Sequence, residues 1–348
     1  MSEVFQHGYA LVIGVDDNQI NRLALPTVAK DVQAVHDVLV HPERCAYAPE
    51  NVTLLHGKQA TRKDILQQLR RLKEKVKADP EATAVLYYSG HGMEDKSNGR
   101  YYLIPYDISS LNYVRADAIE AETFAAEISD MPAKRLLVIL DCCHADGMGV
   151  KNVNLATNEL ENITTAPFPI DLPGTDIPQF SAEPGSKNVA ELLEDEGRAV
   201  LNSSTSAQSS YVRQDRTMSL FTYHLIEALT GHAPHPDDAS VVYVTDVMSW
   251  VTHEVKKSAK QQGVDQTPIM RTSGVFPIAQ LIGGKGVALA KGEIAPDPLE
   301  FVPPAVNQHA HAEGGHAANF ANNANVGQIG NNENYTLNNV SGPVTFGQ

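Results

Sequence analysis

Over the first 142 residues, short apolar runs alternate with longer segments whose apolar residues recur at helical spacing. Tyr9–Val15 (YALVIGV), Val52–Leu55, Ala84–Ser89 (AVLYYS) and Leu136–Leu140 (LLVIL) are too short for helices and rich in Val, Ile, Leu and Tyr, which predicts buried strands. Between them, Thr27–Leu39 places Val28, Val32, Val35 and Leu39 on one face. Thr61–Lys77 does the same with Ile65, Leu69, Leu72 and Val76, with Thr61 as its N-cap and Pro80 beyond its end. Glu122–Ser129 predicts a shorter third helix. Strands and helices alternating in this way build an α/β fold, a mostly parallel central sheet flanked by helices.

From Ala145 to about Gly197 this pattern gives way to Asn, Thr, Pro and Gly with few apolar pairs, which predicts an exposed linker. It returns with a strand at Ala199–Ser203, helices at Leu220–Leu229 and Thr245–Gln261, and a last strand near Pro268–Met270. The chain therefore divides into a first region (1–150), the linker (151–197), a second region (198–292) and a tail (293–348). From Pro296 onward there is no Lys or Arg, and Asn319–Asn339 holds nine asparagines. Such a segment has too little apolar area to build its own core and is expected to be disordered when alone, although it can stack with copies of itself. His309, His311 and His316 read as polar residues of this tail rather than metal ligands.

The 348 residues carry 42 acids against 27 bases, a formal net charge of −15, with no cluster of Lys and Arg to neutralise phosphates. Nucleic acid and an anionic membrane surface are poor partners for such a chain. The three cysteines, Cys45, Cys142 and Cys143, are too few for a disulfide framework and suit a reducing compartment. Met1–Gly8 does not read as a secretory signal, and no apolar stretch approaches the ~20 residues of a membrane helix. The expectation is a cytoplasmic protein.

Two predicted strands end in reactive side chains. Ala84–Ser89 runs into Gly90-His91-Gly92, and Leu136–Leu140 into Asp141-Cys142-Cys143-His144. Open α/β sheets bind ligands at the C-terminal ends of their strands, so both ends point to one site. A cysteine attacks as the thiolate, supported by an imidazole that later protonates the leaving amine. Flanking glycines would let a carbonyl substrate lie against bare backbone, with the amides of Gly92 and Cys143 aimed at a developing oxyanion. This chemistry is acyl transfer. A Cys-based phosphatase would want Arg where Gly149 stands, and the first strand ends without the glycine series of a dinucleotide site. Adjacent cysteines diverge on a strand and make a poor zinc site.

YYSGHG (Tyr87–Gly92), followed 52 positions after its histidine by the cysteine of DCCHA (Asp141–Ala145), resembles the caspase and metacaspase family over roughly Tyr9 to Phe276. The resemblance implies a caspase-like fold and a cysteine endopeptidase in which Cys143 is the nucleophile, His91 its partner, and Cys142 buried packing. It also implies a substrate pocket lined by Asp141, by Asp31 of the AKD triplet and, in its wall, by Ser89. Two carboxylates in a narrow pocket favour Arg or Lys and repel an acidic side chain, so cleavage is expected after Arg or Lys. No cofactor is expected: Glu94, Asp95 and Asp107 are scattered rather than set at calcium-ligand spacing, which leaves calcium activation unsupported. Relatives often cleave themselves between the two regions; Lys187, in EPGSKN, is the expected site here.

In the tail, Asn325–Tyr335 (NVGQIGNNENY) and Asn339–Gly347 (NVSGPVTFG) resemble the short amyloid signalling motifs of bacterial immune proteins, which implies homotypic assembly or receptor contact through 325–347. The expected protein is thus a peptidase of a bacterial defence (antiviral) or cell-death pathway. The competing expectation is a catalytically silent adaptor of the same fold that signals by assembly.

Overall fold

The computed structural model describes residues 4–95, 97–142, 163–165, 197–205, 208–233, 240–281, 308–312, 316–320, 326–329 and 334–336. Two compact units are present, Met1–Ala295 and Pro296–Gln348. The first runs β1 (Gly8–Gly14), α1 (Pro26–Val40), β2 (Val52–His56), α2 (Arg62–Lys77), β3 (Thr83–Gly90), β4 (Gly92–Asp95), β5 (Arg100–Leu103), α3 (Val114–Asp117), β6 (Ile119–Glu120), α4 (Ala121–Ser129) and β7 (Arg135–Cys142). It continues with β8 (Ile163–Thr165), β9 (Gly197–Asn202), α5 (Leu220–Leu229), β10 (Val241–Tyr243), α6 (Val244–Gln261), β11 (Ile269–Thr272) and β12 (Pro277–Gln280). Cys143 and Lys187 lie outside the described residues, as does most of the predicted linker.

The main sheet has six strands in the order β11-β9-β7-β3-β1-β2. All neighbours are parallel except β11, which runs antiparallel on β9. The chain leaves β1 for β2 on one side and returns to β3 on the other, so a topological switch point lies between β1 and β3, where such sheets open a crevice at their C-terminal ends. Alternation along the strands divides the core in two. Val12, Val85, Tyr87, Leu137, Ile139 and Leu201 pack with α1, α5 and α6 on one face. Leu11, Ile13, Leu86, Tyr88, Val138 and Leu140 pack with α2 and α4 on the other.

Local chemistry sets the helix limits. Thr61 caps α2 by accepting from the Asp64 amide at 3.1 Å, as the Thr predicted, while Pro26 occupies the first turn of α1, where its missing N–H costs nothing. The strands reach further than their apolar runs suggest: Ser89 is paired with Asp141 and Gly90 with Cys142, so polar residues continue the ladder. β9 begins at Gly197 because that residue is registered with Arg135. A Cβ at Gly197 would lie 2.2 Å from Phe276 Cδ1, so the ring of the second region is seated directly on this glycine.

A second, four-stranded sheet, β6-β5-β4-β8, was not expected from the sequence. Its strands are two to four residues long and interrupted by Asp, Glu and Arg, which hides any period-two signal. It carries the chain onward from His91, and Ile163–Thr165 of the predicted linker closes it against β4. In the second unit the described segments pair antiparallel in the order β13 (Gln308–Ala312), β14 (His316–Phe320), β15 (Val326–Ile329) and β16 (Asn334–Thr336). Among the described residues no helix is long and apolar enough to cross a membrane.

Candidate active site

His91 leaves the C-terminal end of β3 and is buried. Its Nε2 lies 3.0 Å from the carbonyl oxygen of Leu23, in the turn Asn21–Leu23 that leads into α1. A carbonyl only accepts, so Nε2 carries the proton and Nδ1 is the basic nitrogen of the neutral ring. The backbone is fixed as well, since the Ile104 amide donates to the His91 carbonyl at 3.1 Å.

The glycines beside His91 have different surroundings. A Cβ on Gly90 would stand 2.7 Å from Tyr88 Oη and 3.2 Å from Val15 Cβ. The bare side of Gly90 is therefore filled by the protein's own side chains, which corrects the expectation that it leaves room for substrate. Gly92 is buried at the start of β4, opposite Leu103.

Cys142 is buried among the residues that face α2 and α4, the packing role implied for it. Cys143 follows it by one peptide bond and lies outside the described residues. The register that pairs Gly90 with Cys142 brings together the two strand ends from which His91 and Cys143 continue.

Asp31, Asp141 and Ser89 are all fully buried. Ser89 and Asp141 are register partners on β3 and β7, on the sheet face covered by α1 and α5. Asp31 comes from α1. Ser219 joins the two carboxylates: its amide donates to Asp31 Oδ1 at 2.9 Å and its hydroxyl to Asp141 Oδ2 at 2.5 Å. The same hydroxyl accepts from the Thr222 amide at 2.9 Å and so caps α5. Asp141 also accepts from Ser210 Oγ at 2.8 Å and Thr222 Oγ1 at 3.2 Å. Gln266 Nε2 donates to Ser210 Oγ at 3.1 Å, and Tyr87 Oη lies 2.5 Å from Thr222 Oγ1.

By contrast, Asp31 Oδ2 and Ser89 Oγ have no hydrogen-bond partner among the described residues. Burial, reinforced by the charge of Asp141, pushes the Asp31 carboxyl well above the usual carboxylate range; the Ser219 amide and Lys30 pull the other way. Leu23, Ser210, Ser219, Thr222 and Gln266 are the site residues that sequence reasoning missed. Ser219, a serine directly before the apolar run LFTYHL, carried a legible N-cap signal; the Leu23 carbonyl carried none.

Two of the three acids considered for calcium have partners. Asp95 is paired with Arg115 at 2.6 Å, and Asp107 Oδ1 accepts from the Arg62 amide at 2.9 Å. Among the described residues no three His, Cys, Asp or Glu side chains are grouped to hold a metal ion.

Comparison with known proteins places this architecture. The family model for the caspase domain (Peptidase C14) matches residues 7–276, from the start of the main sheet to the phenylalanine seated on Gly197. No curated protein matches the chain. Among solved structures, the crystal structure of protein GSU0716 from Geobacter sulfurreducens is similar at 14% sequence identity and a TM-score of 0.47, over 80% of this chain and 98% of that one. With a caspase-domain match over most of its length, the chain belongs to the caspase-domain family of cysteine peptidases.

Proposed function

We propose that the protein is a cysteine endopeptidase that cuts after Arg or Lys, with Cys143 as nucleophile and His91 as its acid–base partner. The observation that carries the specificity is the buried pair Asp31 and Asp141, one of whose oxygens, Asp31 Oδ2, has no hydrogen-bond partner among the described residues. A buried anionic acceptor at the crevice is satisfied by a guanidinium or ammonium group and rejects a carboxylate.

The chemistry follows from the tautomer. With Nε2–H held by the Leu23 carbonyl, Nδ1 takes the Cys143 thiol proton. The thiolate sulfur attacks the carbonyl carbon after Arg or Lys, and the C=O electron pair moves onto oxygen. As the tetrahedral intermediate collapses, the C–N bond breaks and Nδ1–H gives its proton to the leaving amine. Water then attacks the thioester, giving a proton to Nδ1, and the thiol is restored as the acid product leaves.

The test is turnover of fluorogenic peptides ending in Arg, Lys, Asp or Asn by the wild type and by Cys143→Ala. Cleavage after Arg and Lys, lost in the variant, is expected. Cleavage only after Asp would refute the pocket reading, and wild-type turnover no greater than that of the variant would favour the silent adaptor. The same pair of proteins examines Lys187, since an identical intact band in both after incubation rules out self-cleavage there.

We read the Asn-rich tail as a recruitment element acting through 325–347 in a defence or cell-death pathway. Deleting Pro296–Gln348 is expected to leave turnover of short peptides within about twofold of the full chain while abolishing concentration-dependent assembly, a gain that comes from local concentration alone. Equal assembly by both forms, read by light scattering, would reject that role.

A further inference from the structure

The two pocket carboxylates are held in different ways. The three described hydroxyls on Asp141 each have a second contact: the Thr222 amide donates to Ser219 Oγ, Gln266 Nε2 donates to Ser210 Oγ, and Tyr87 Oη lies 2.5 Å from Thr222 Oγ1. Their single protons are turned to Asp141, one onto Oδ1 and two onto Oδ2. Three O–H donors on one carboxyl group favour its charged form, and it is as a charge that Asp141 acts on Asp31. Among the described residues, Asp31 receives one backbone amide on Oδ1 and nothing on Oδ2. Two anions cannot share a buried site cheaply, and the member with the empty oxygen is the one that takes up a proton.

We propose that Asp141 is a fixed anion, and that Asp31 holds a proton while the pocket is empty and releases it to solvent when a guanidinium or ammonium group enters and takes Oδ2. This rests on the Arg/Lys reading and adds to it an atom and a proton count. The cation replaces the proton, so the pocket carries one net negative charge both when empty and when filled. The charges acting on Asp31 are Asp141 from β7 and Lys30 from its own helix. Ser89 and Tyr87 from β3, and Ser210, Ser219 and Thr222 from the segment entering α5, contribute no charge at neutral pH.

Agmatine, an Arg side chain without a scissile bond, is the probe. Calorimetric titration of the full chain at about pH 7 in phosphate and in Tris is expected to give different binding enthalpies, reporting release of up to about one proton. The free protein binds the extra proton, so the Kd should tighten as pH rises from about 5.5 to about 8.5, by up to ~10-fold per unit, until Asp31 is ionised without ligand. An unperturbed imidazole changes charge in this range, so the measurement is repeated on His91→Ala. Release that persists there assigns the proton to the carboxylate, and release that vanishes overturns the proposal. Agmatine bound with equal enthalpies in both buffers and a flat Kd also overturns it, leaving the Arg/Lys reading intact. No agmatine binding at any pH, together with uncleaved Arg and Lys peptides, overturns both.

Discussion

His91→Ala is expected to lower kcat/KM for an Arg or Lys reporter peptide by ~10³-fold or more, with little change in KM, since the ring supplies two proton transfers. The Nε2–H to Leu23 carbonyl bond makes the tautomer specific, so His91→Gln, which has no basic nitrogen, should be about as inactive although it can still donate to that carbonyl. Activity within tenfold of the wild type in either variant would remove His91 from the mechanism. A thermal midpoint close to that of the wild type excludes loss of folding as the cause.

Asp31→Asn carries the second large effect and moves two quantities in opposite directions. Substituting an amide for the group whose Oδ2 is unfilled should lower kcat/KM for Arg and Lys peptides by ~10²–10³-fold, the cost of leaving a buried cation without its counter-charge. At the same time the fold should become more stable at neutral and alkaline pH. The Asp31 carboxyl is pushed up by burial and by Asp141, so the unfolded chain ionises at about pH 4 while the folded one resists. Stability is therefore lost as pH rises from about 4 toward the folded-state value, and Asn removes that loss. A midpoint raised by ~2–4 °C near pH 8 and unchanged near pH 3, measured by thermal unfolding, is the expected result. Unchanged cleavage would sink the pocket assignment, and a midpoint lowered at every pH would show that Asp31 stabilises the empty protein.

The backbone of the site was more legible than its bonding. LLVIL and AVLYYS marked the two central strands because residues buried on both faces must be apolar throughout, and the Thr61 cap fixed the start of α2. Asp31 and Asp141 were reached only through the family resemblance, since on periodicity alone Asp31 is one polar position in a helix. Gly90 was misread: its requirement is set by Tyr88 and Val15, a contact that depends on how the strand end bends. The hydroxyls of Ser210, Ser219 and Thr222, and the amide of Gln266, gave no collective signal because Gln266 follows the three hydroxyls by 44 to 56 residues and all of them meet Asp141 or its donors only in the folded chain.

That meeting bears on what a break in the chain would do. Asp31, Ser89, His91 and Asp141 precede residues 143–196, while Ser210, Ser219, Thr222 and Gln266 follow them, and Asp31 and Asp141 are joined to Ser210, Ser219 and Thr222 by hydrogen bonds as well as by the β7–β9 ladder from Arg135–Gly197 to Leu140–Asn202. Covalent continuity is thus separable from the integrity of the pocket. Scission in between would yield two complementary fragments that stay associated through a shared sheet, and the carboxylate pair would serve as the recognition element by which one fragment selects the other during reconstitution.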